Sequence, residues 1–352
     1  MRFHVTALPH TQTTKEFIAC AYTAKVINFC RMMMDRGHEV FLYAGEQNEA
    51  PCTEHIVVTK EADRVAHVGD KHFTQASFYG KLWDNANANC VNEIRKRAKK
   101  EDFICVIAGI AQQPIAAALP HMITVEFGVG YGGVFSKYRV FESYAWMHTV
   151  YGSQSGGDPH RCDGHWWDEV IPGYLDPAQF PFSEEKDDYF LFVGRLVERK
   201  GYSIAVDACK VLGKKLVVCG QGTPPDSVDY RGVVGPEERG LLMSRAKAVF
   251  VPTVYVEPFG NVHVEAMACG TPVITTDWGV FTETVVNGFN GYRCRMMKEF
   301  IEAAMNVDKL SPQAIRHNAL SLYSLDVVGK RYEDYFQRLL TLWGDGWYAG
   351  EY

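Results

Sequence analysis

Residues 249–276 read V-F-V-P-T-V-Y-V-E-P-F-G-N-V-H-V-E-A-M-A-C-G-T-P-V-I-T-T, and they restrict the fold more than any other stretch of the chain. The apolar run 249–251 is too short for a helix and reads as a buried strand. Pro258 removes a ladder donor and ends the extended segment. The spacing predicts a helix over about 261–269, closed by Gly270, and the apolar run 273–276 is a second strand. Strand, loop, helix, strand in this order is a βαβ unit, so the chain is expected to be an α/β protein with parallel sheet.

The loop of that unit carries chemistry. Gly260 allows a ligand to approach the backbone closely, and Asn261 is the expected N-cap. The first N–H groups of the helix would then face the crevice beyond the strand ends, where such sheets bind ligands. A helix start in that place favours an anion such as a phosphate. Glu257 lies in the loop and Glu265 about one turn into the helix. Carboxylates beside bound phosphate are a liability unless they accept hydrogen bonds from neutral hydroxyls, so a sugar or a ribose is the natural partner. The bland alternative is an ordinary βαβ unit with two solvated acids.

E-P-F-G-N-x-x-x-E followed by A-M-A-C-G-T-P-V-I resembles the signature of the retaining, nucleotide-sugar-dependent glycosyltransferases of family 4, the glycosyl transferases group 1. Glu257 and Glu265 match the two acids of its E-x7-E motif. A second stretch, G-R-L-V-E-R-K-G at 194–201, is similar to the family's G-R-L-x-x-x-K-G. The resemblance implies a GT-B fold, two Rossmann-like domains facing a central cleft, with the donor held mainly by the C-terminal one. It assigns Arg195 and Lys200 to the donor diphosphate, the backbone from Pro258 and Phe259 through Gly260 to Asn261 to phosphate or sugar, Glu257 to sugar hydroxyls and Glu265 to the ribose. Gly220, in the turn G-Q-G at a strand's C-terminal edge, is expected on the donor side, as is Val234, in the segment Y-R-G-V-V that resembles the family's cover over the nucleobase. Two cations just past a strand end suit a leaving pyrophosphate. They would stand in for a metal, since no Asp-x-Asp pair follows a strand, and no cofactor beyond the donor is implied.

Along the chain, residues 2–8 predict a first strand, 16–36 a helix closed by Gly37, and 39–44 the next strand, the opening of a Rossmann-like domain. The loop between them, L-P-H-T-Q-T-T-K, lacks the glycines the family carries there. His10, Gln12 and Lys15 would contact ligand through side chains, or the loop is simply a polar surface. A polar run covers 60–70, and a helix over about 78–99 ends in a basic cluster that suits the helix dipole. Strands are expected at 103–108 and 122–126. G-V-G-Y-G-G at 128–133 has the form of a dinucleotide fingerprint but not its context, since it follows a late strand and precedes no apolar-faced helix. It reads as a flexible loop on the acceptor side, with Gly130 and Tyr131 near substrate. The family often has a histidine just after the equivalent strand. Here Glu126 stands in T-V-E-F-G, able to orient a hydroxyl or take a proton. A helix is expected at 140–148.

Asp158, His160, Cys162 and His165 have the look of metal spacing but lie in a glycine-rich loop without a second cluster. Prolines at 172, 177 and 181 mark a linker. The expected domains are therefore residues 1–173 on the acceptor side and 174–325 on the donor side. A final helix over 326–342, within the terminal segment 326–352, has the length and apolar spacing to cross back to the first domain.

The chain has 352 residues, 47% of them hydrophobic and 22% charged, with a net charge of −6, which suits a globular protein and argues against a broad nucleic-acid footprint. Its ten cysteines are scattered through apolar runs and read as buried thiols of a reducing compartment, the cytoplasm. The N-terminus reads as a strand rather than a leader, and no apolar run is long enough to span a membrane. The function expected is metal-independent, retaining transfer of a sugar from a nucleoside-diphosphate sugar to an acceptor hydroxyl. The acceptor is left open among a glycan, a lipid, a small metabolite and a modified nucleic-acid base. A GT-B nucleotide-sugar epimerase and a non-catalytic nucleotide-sugar-binding protein are the competing expectations.

Overall fold

The computed structural model describes residues 1–344. The chain divides into two units, the first made of Met1–Glu142, Val150–Ile171 and the segment from Gly329, the second of Ser143–Thr149 and Pro172–Val328. Residues 345–352 of the expected terminal segment lie outside the described residues. Nothing in the sequence marked 143–149 as belonging with the second unit.

The first unit holds strands β1 (Arg2–Thr6), β2 (Glu39–Gly45), β3 (Glu54–Thr59), β4 (Phe103–Val106), β5 (Ile123–Val129), β6 (Tyr138–Phe141) and β7 (Glu169–Val170). They form one sheet in the order β3-β2-β1-β4-β5-β6-β7, parallel throughout. Its helices are α1 (Ala21–Asp35), α2 (Glu61–Val68), α3 (Lys81–Arg97) and α4 (Gln113–Ala118). Helix α5 (Tyr144–Gln154) starts in the second unit's segment and ends in the first's.

Several expected boundaries move. Helix α1 begins at Ala21, because 15–17 form a separate 3-10 turn. The polar run at 60–70 is helical as α2, with Glu61 and Asp63 in its first turn, where carboxylates suit the dipole. The helix expected at 140–148 starts later: Val140 and Phe141 are the end of β6. The 128–133 stretch is not a free loop, since Gly128 and Val129 complete β5.

The second unit holds β8 (Tyr189–Val193), β9 (Lys215–Cys219), β10 (Asp229–Tyr230), β11 (Val249–Val251), β12 (Val273–Thr276) and β13 (Gly291–Cys294). Their order is β10-β9-β8-β11-β12-β13, again all parallel. The helices are α6 (Tyr202–Leu212), α7 (Pro236–Arg245), α8 (Asn261–Ala268), α9 (Phe281–Thr284), α10 (Met297–Asn306) and α11 (Pro312–Tyr323). Strand side chains alternate between two apolar layers. Leu191, Val249 and Val251 enter one, and Phe190, Phe192 and Phe250 enter the other.

Chain order reverses between β8 and β11, whose registers pair Val249 with Leu191 and Phe250 with Phe192. Both strands therefore end side by side, and the loops after them open the crevice where doubly wound sheets bind ligands. The first unit has the same switch between β1 and β4, but there Gln112 fills it. Its Oε1 accepts from the N–H groups of Ile107 and Ala108, both at 2.9 Å, and its Nε2 donates to Ala7 O at 3.3 Å.

Helix α12 (Leu325–Gly344) carries buried Tyr332, Phe336 and Leu339 at i, i+4 and i+7. Phe336 meets Phe3 at 4.7 Å and Phe103 at 4.9 Å between ring centroids, edge to face, inside the first unit. No helix among the described residues is long and apolar enough to cross a membrane. All ten cysteines are free thiols, and eight are buried.

Candidate functional site

The second unit places Arg195, Arg199, Lys200 and Glu257 on the loops at the switch point. After β8 the chain makes a 3-10 turn at Glu198–Lys200 and reaches Gly201 at φ 67°. A Cβ there would stand 2.0 Å from Pro252 O, so only glycine lets this turn lie against the chain leaving β11. Val254 N–H donates to Arg199 O at 3.0 Å and fixes the contact. These two features bring Lys200 beside Tyr255 and Glu257.

Lys200 Nζ lies 2.5 Å from Glu257 Oε2, and Tyr255 Oη donates to the same oxygen at 2.6 Å. Glu257 is 8% exposed, so its charge is met by two donors while one oxygen stays available. Gly260, at φ 73°, makes room for this carboxylate, since a Cβ would lie 2.7 Å from Glu257 Cγ. Arg195 is exposed on the loop after β8 and forms no ion pair with any described residue. Arg199 stacks on the Tyr255 ring with its guanidinium carbon 4.6 Å from the centroid.

Gly260, not Asn261, holds the N-cap position of α8, and no side chain caps the helix. Gly260's left-handed backbone makes the turn, so Asn261 is already helical. A helix start of this kind presents N–H groups that an anion can satisfy, although His263 N–H already lies 3.4 Å from Gly260 O. Pro258 O accepts from Ser143 Oγ at 2.6 Å. Phe259 is buried against His263 and Tyr323, and a Cβ on Gly173 would lie 2.4 Å from its ring. Phe259 thus anchors the loop in the core, and its side chain is not open to a ligand.

Glu265 is buried, its Oε1 3.3 Å from Arg239 Nη2, while its Oε2 has no partner among the described residues. Burial pushes its carboxyl upward, opposed by the Arg239 charge. An unpartnered buried carboxylate oxygen needs a donor, and a diol supplies one. Gly220, at φ 140°, lets the loops after β8 and β9 touch, since a Cβ on it would lie 1.9 Å from Gly194 O. Val234 is half-buried against the core of the unit.

Three participants escaped the sequence reading. Tyr255 was legible, since in an extended segment it shares a side with Glu257 two residues on. His263 sits one helical turn from Gly260 and its Nδ1 lies 2.5 Å from Gly260 O. Burial lowers its pKa to about 4, so it is neutral. Arg239 gave no signal, being one charge in the acidic start of α7.

In the first unit, Glu126 is fully buried in β5. Its Oε2 accepts from Phe135 N–H at 2.9 Å and Ser136 N–H at 2.7 Å, and Tyr131 Oη donates to Oε1 at 3.3 Å. It ties down the segment 131–136, which corrects the expected flexible loop, and burial raises its pKa to about 7. Gly130 and Tyr131 are half-buried. His10 is buried against Phe78 and Trp83, its pKa lowered by burial to about 4. Gln12 is buried too, accepting from Gln47 N–H at 3.0 Å and donating to Glu61. Of the three loop candidates only Lys15 is exposed. The Asp158–His165 spacing does not converge. Asp158 caps the turn at His160, and among the described residues no group of three His, Cys, Asp or Glu side chains is placed to hold a metal.

Residues 178–310 match the family model described as glycosyl transferases group 1. A glycogen synthase of Mycobacterium tuberculosis is 33% identical over 147 residues, covering 36% of this chain and 35% of that protein. The O-antigen chain mannosyltransferase RfbU of Salmonella typhimurium is 30% identical over 175 residues, covering 45% of this chain and 49% of that protein. The chain thus spans between a third and a half of the length of these relatives. Among solved structures, AviGT4, a glycosyltransferase involved in avilamycin A biosynthesis, superposes with a TM-score of 0.68 at 19% identity, covering 97% of this chain and 98% of that one. HepE of Anabaena, solved in complex with UDP and glucose, gives 0.66 at 17% identity, covering 96% and 100%. The fold is GT-B, and residues 178–310, which contain the switch-point cluster, are the stretch that matches the glycosyl transferases group 1 family.

Proposed function

We propose that the protein is a retaining glycosyltransferase that moves a sugar from a nucleoside-diphosphate sugar to an acceptor hydroxyl without a metal. One observation carries this reading: Arg195, Lys200 and Glu257 stand on the loops after β8 and β11 at the switch point, inside the stretch that matches the family. The UDP held by HepE favours a uridine diphosphate sugar as donor.

In the reaction the bond from sugar C1 to the diphosphate oxygen breaks, and its electron pair leaves with the diphosphate. Arg195, Lys200 and the uncapped start of α8 meet that charge where it develops. Glu257 accepts from sugar hydroxyls as the ring gains positive charge. The acceptor oxygen bonds to C1, and its proton passes to the departing diphosphate oxygen. Glu265, through the unpartnered Oε2, accepts from the ribose. Glu126 is engaged by three donors and serves the acceptor side by holding the 131–136 segment rather than as an acid or base.

A thermal-shift screen over UDP, GDP and ADP and their sugars tests the donor, followed by release of diphosphate from the stabilising sugar nucleotide. A ligand at 100 times its Kd stabilises by about 2.7 kcal/mol, which such a screen reads easily. No stabilisation by any diphosphate or its sugar overturns the proposal.

A further inference from the structure

Resting on that donor reading, we infer that Tyr255 is a positioning residue that keeps Glu257 in place while Lys200 is handed to the donor diphosphate. Tyr255 Oη and Lys200 Nζ share one oxygen of Glu257, Oε2, at 2.6 and 2.5 Å. A diphosphate that draws Lys200 away removes one of those donors. Without the tyrosine hydroxyl, the carboxylate oxygen of a residue only 8% exposed would be left with no described donor, which is costly. With it, Oε2 stays satisfied, and Oε1 stays turned toward whatever sugar hydroxyl the donor brings.

The surroundings suit this role. The Tyr255 ring is clamped by Arg199, whose guanidinium carbon lies 4.6 Å from its centroid, and Lys200 Nζ stands 5.0 Å from the same centroid. The ring thus stays near the ammonium as Lys200 turns. Burial, and then the Glu257 charge, push the tyrosine hydroxyl well above its ordinary range. It is a proton-bearing donor at any working pH. Val254 N–H, bonded to Arg199 O at 3.0 Å, ties the backbone beside Tyr255 to that beside Lys200.

The consequence is measurable without turnover. Tyr255 touches no phosphate in this scheme, yet its loss should weaken diphosphate binding by making Lys200 harder to release. Isothermal titration of UDP into the wild type, Tyr255→Phe, Glu257→Gln and the double variant tests it, with Tyr255→Leu as a further control and circular dichroism for folding. GDP or ADP replaces UDP if the screen selects it. Tyr255→Phe keeps the ring and its stacking on Arg199, and should bind UDP about fivefold to tenfold more weakly. Tyr255→Leu should match it if the hydroxyl is what counts. Once Glu257 is Gln, the tyrosine substitution should change affinity less than twofold. In kinetics, Tyr255→Phe should also lower kcat about tenfold through a less well held Glu257. Unchanged UDP affinity in Tyr255→Phe overturns the inference, as do equal losses in both Glu257 backgrounds, which a merely structural tyrosine would give. If the wild type binds none of the three diphosphates, the donor reading itself falls and takes this inference with it.

Discussion

Lys200 Nζ stands 2.5 Å from Glu257 Oε2, across the gap between the loops that follow β8 and β11. The two residues that family resemblance assigns to different parts of a donor, the diphosphate and the sugar, are therefore one ion pair before any donor arrives. They cannot act independently. A phosphate that attracts Lys200 must compete with Glu257, and Glu257 without Lys200 repels the phosphate.

This predicts non-additivity. Arg195→Ala should weaken nucleoside diphosphate binding by about 1.5–3 kcal/mol, the usual worth of a charged hydrogen bond. Lys200→Ala should cost at least as much, because it leaves the carboxylate of Glu257 facing the diphosphate. Adding Glu257→Gln to Lys200→Ala should then recover about 1 kcal/mol, a coupling typical of contacting charges. Calorimetry showing that the two changes simply add would mean that the pair does not face the diphosphate.

The reach of the sequence ended at side-chain partners. The strand ends, the glycine at 201 and the acids at 257 and 265 were legible because each is a local requirement: a short apolar run, a turn, a loop before a helix. The Arg239–Glu265 pair and the Gln112 plug were not, since each joins residues brought together only by strand order. Loop 9–15 misled for a related reason. His10 and Gln12 look like surface polar residues, but packing against Phe78 and Trp83 and bonding to Gln47 and Glu61 take them inside. G-V-G-Y-G-G gave the opposite error. Its glycines suggested mobility, while a carboxylate two residues before the first of them holds the following segment.

That carboxylate makes stability depend on pH. Burial raises the Glu126 pKa from 4.5 to about 7. The folded state therefore holds the proton more tightly than the unfolded one. Stability from this group is fully present below about pH 4.5 and declines as pH rises toward 7, at up to about 1.4 kcal/mol per pH unit. Glu126→Gln keeps an acceptor for the N–H groups of Phe135 and Ser136 and cannot ionise. Thermal melts between pH 4.5 and 8 should show the wild type losing stability relative to Glu126→Gln as pH rises, by order of 2–3 kcal/mol in total. Parallel curves would mean that the three donors, and not burial, dominate the carboxyl.

Turnover should survive EDTA. In the proposed mechanism Arg195 and Lys200 supply the positive charge at the leaving diphosphate that a divalent ion would otherwise supply. Activity abolished by the chelator and restored by magnesium or manganese would overturn the metal-independent mechanism.

The two acids of the 249–276 stretch should separate in kinetics. Glu265 sits inside α8, paired with Arg239 on one oxygen and without a partner among the described residues on the other. If that oxygen holds the ribose, it is far from the reacting carbon, and its contact is the same in ground and transition states. Loss of such uniform binding raises KM and leaves kcat nearly unchanged. Glu257 lies in the loop with no described partner on Oε1, and if that oxygen holds the sugar, its bonds to the hydroxyls strengthen as the ring gains positive charge. Glu257→Gln should therefore lower kcat by about tenfold to a thousandfold, roughly 1.4–4 kcal/mol. The bland alternative is that both carboxylates only favour the helix start, where each is worth about 0.3–1 kcal/mol, and then both variants lose a little stability and no activity. Steady-state kinetics on the two Gln variants, with folding checked by circular dichroism, separates these. If Glu265→Gln lowers kcat while Glu257→Gln changes KM alone, the sugar sits over α8 rather than over the loop, and the roles of the two acids are exchanged.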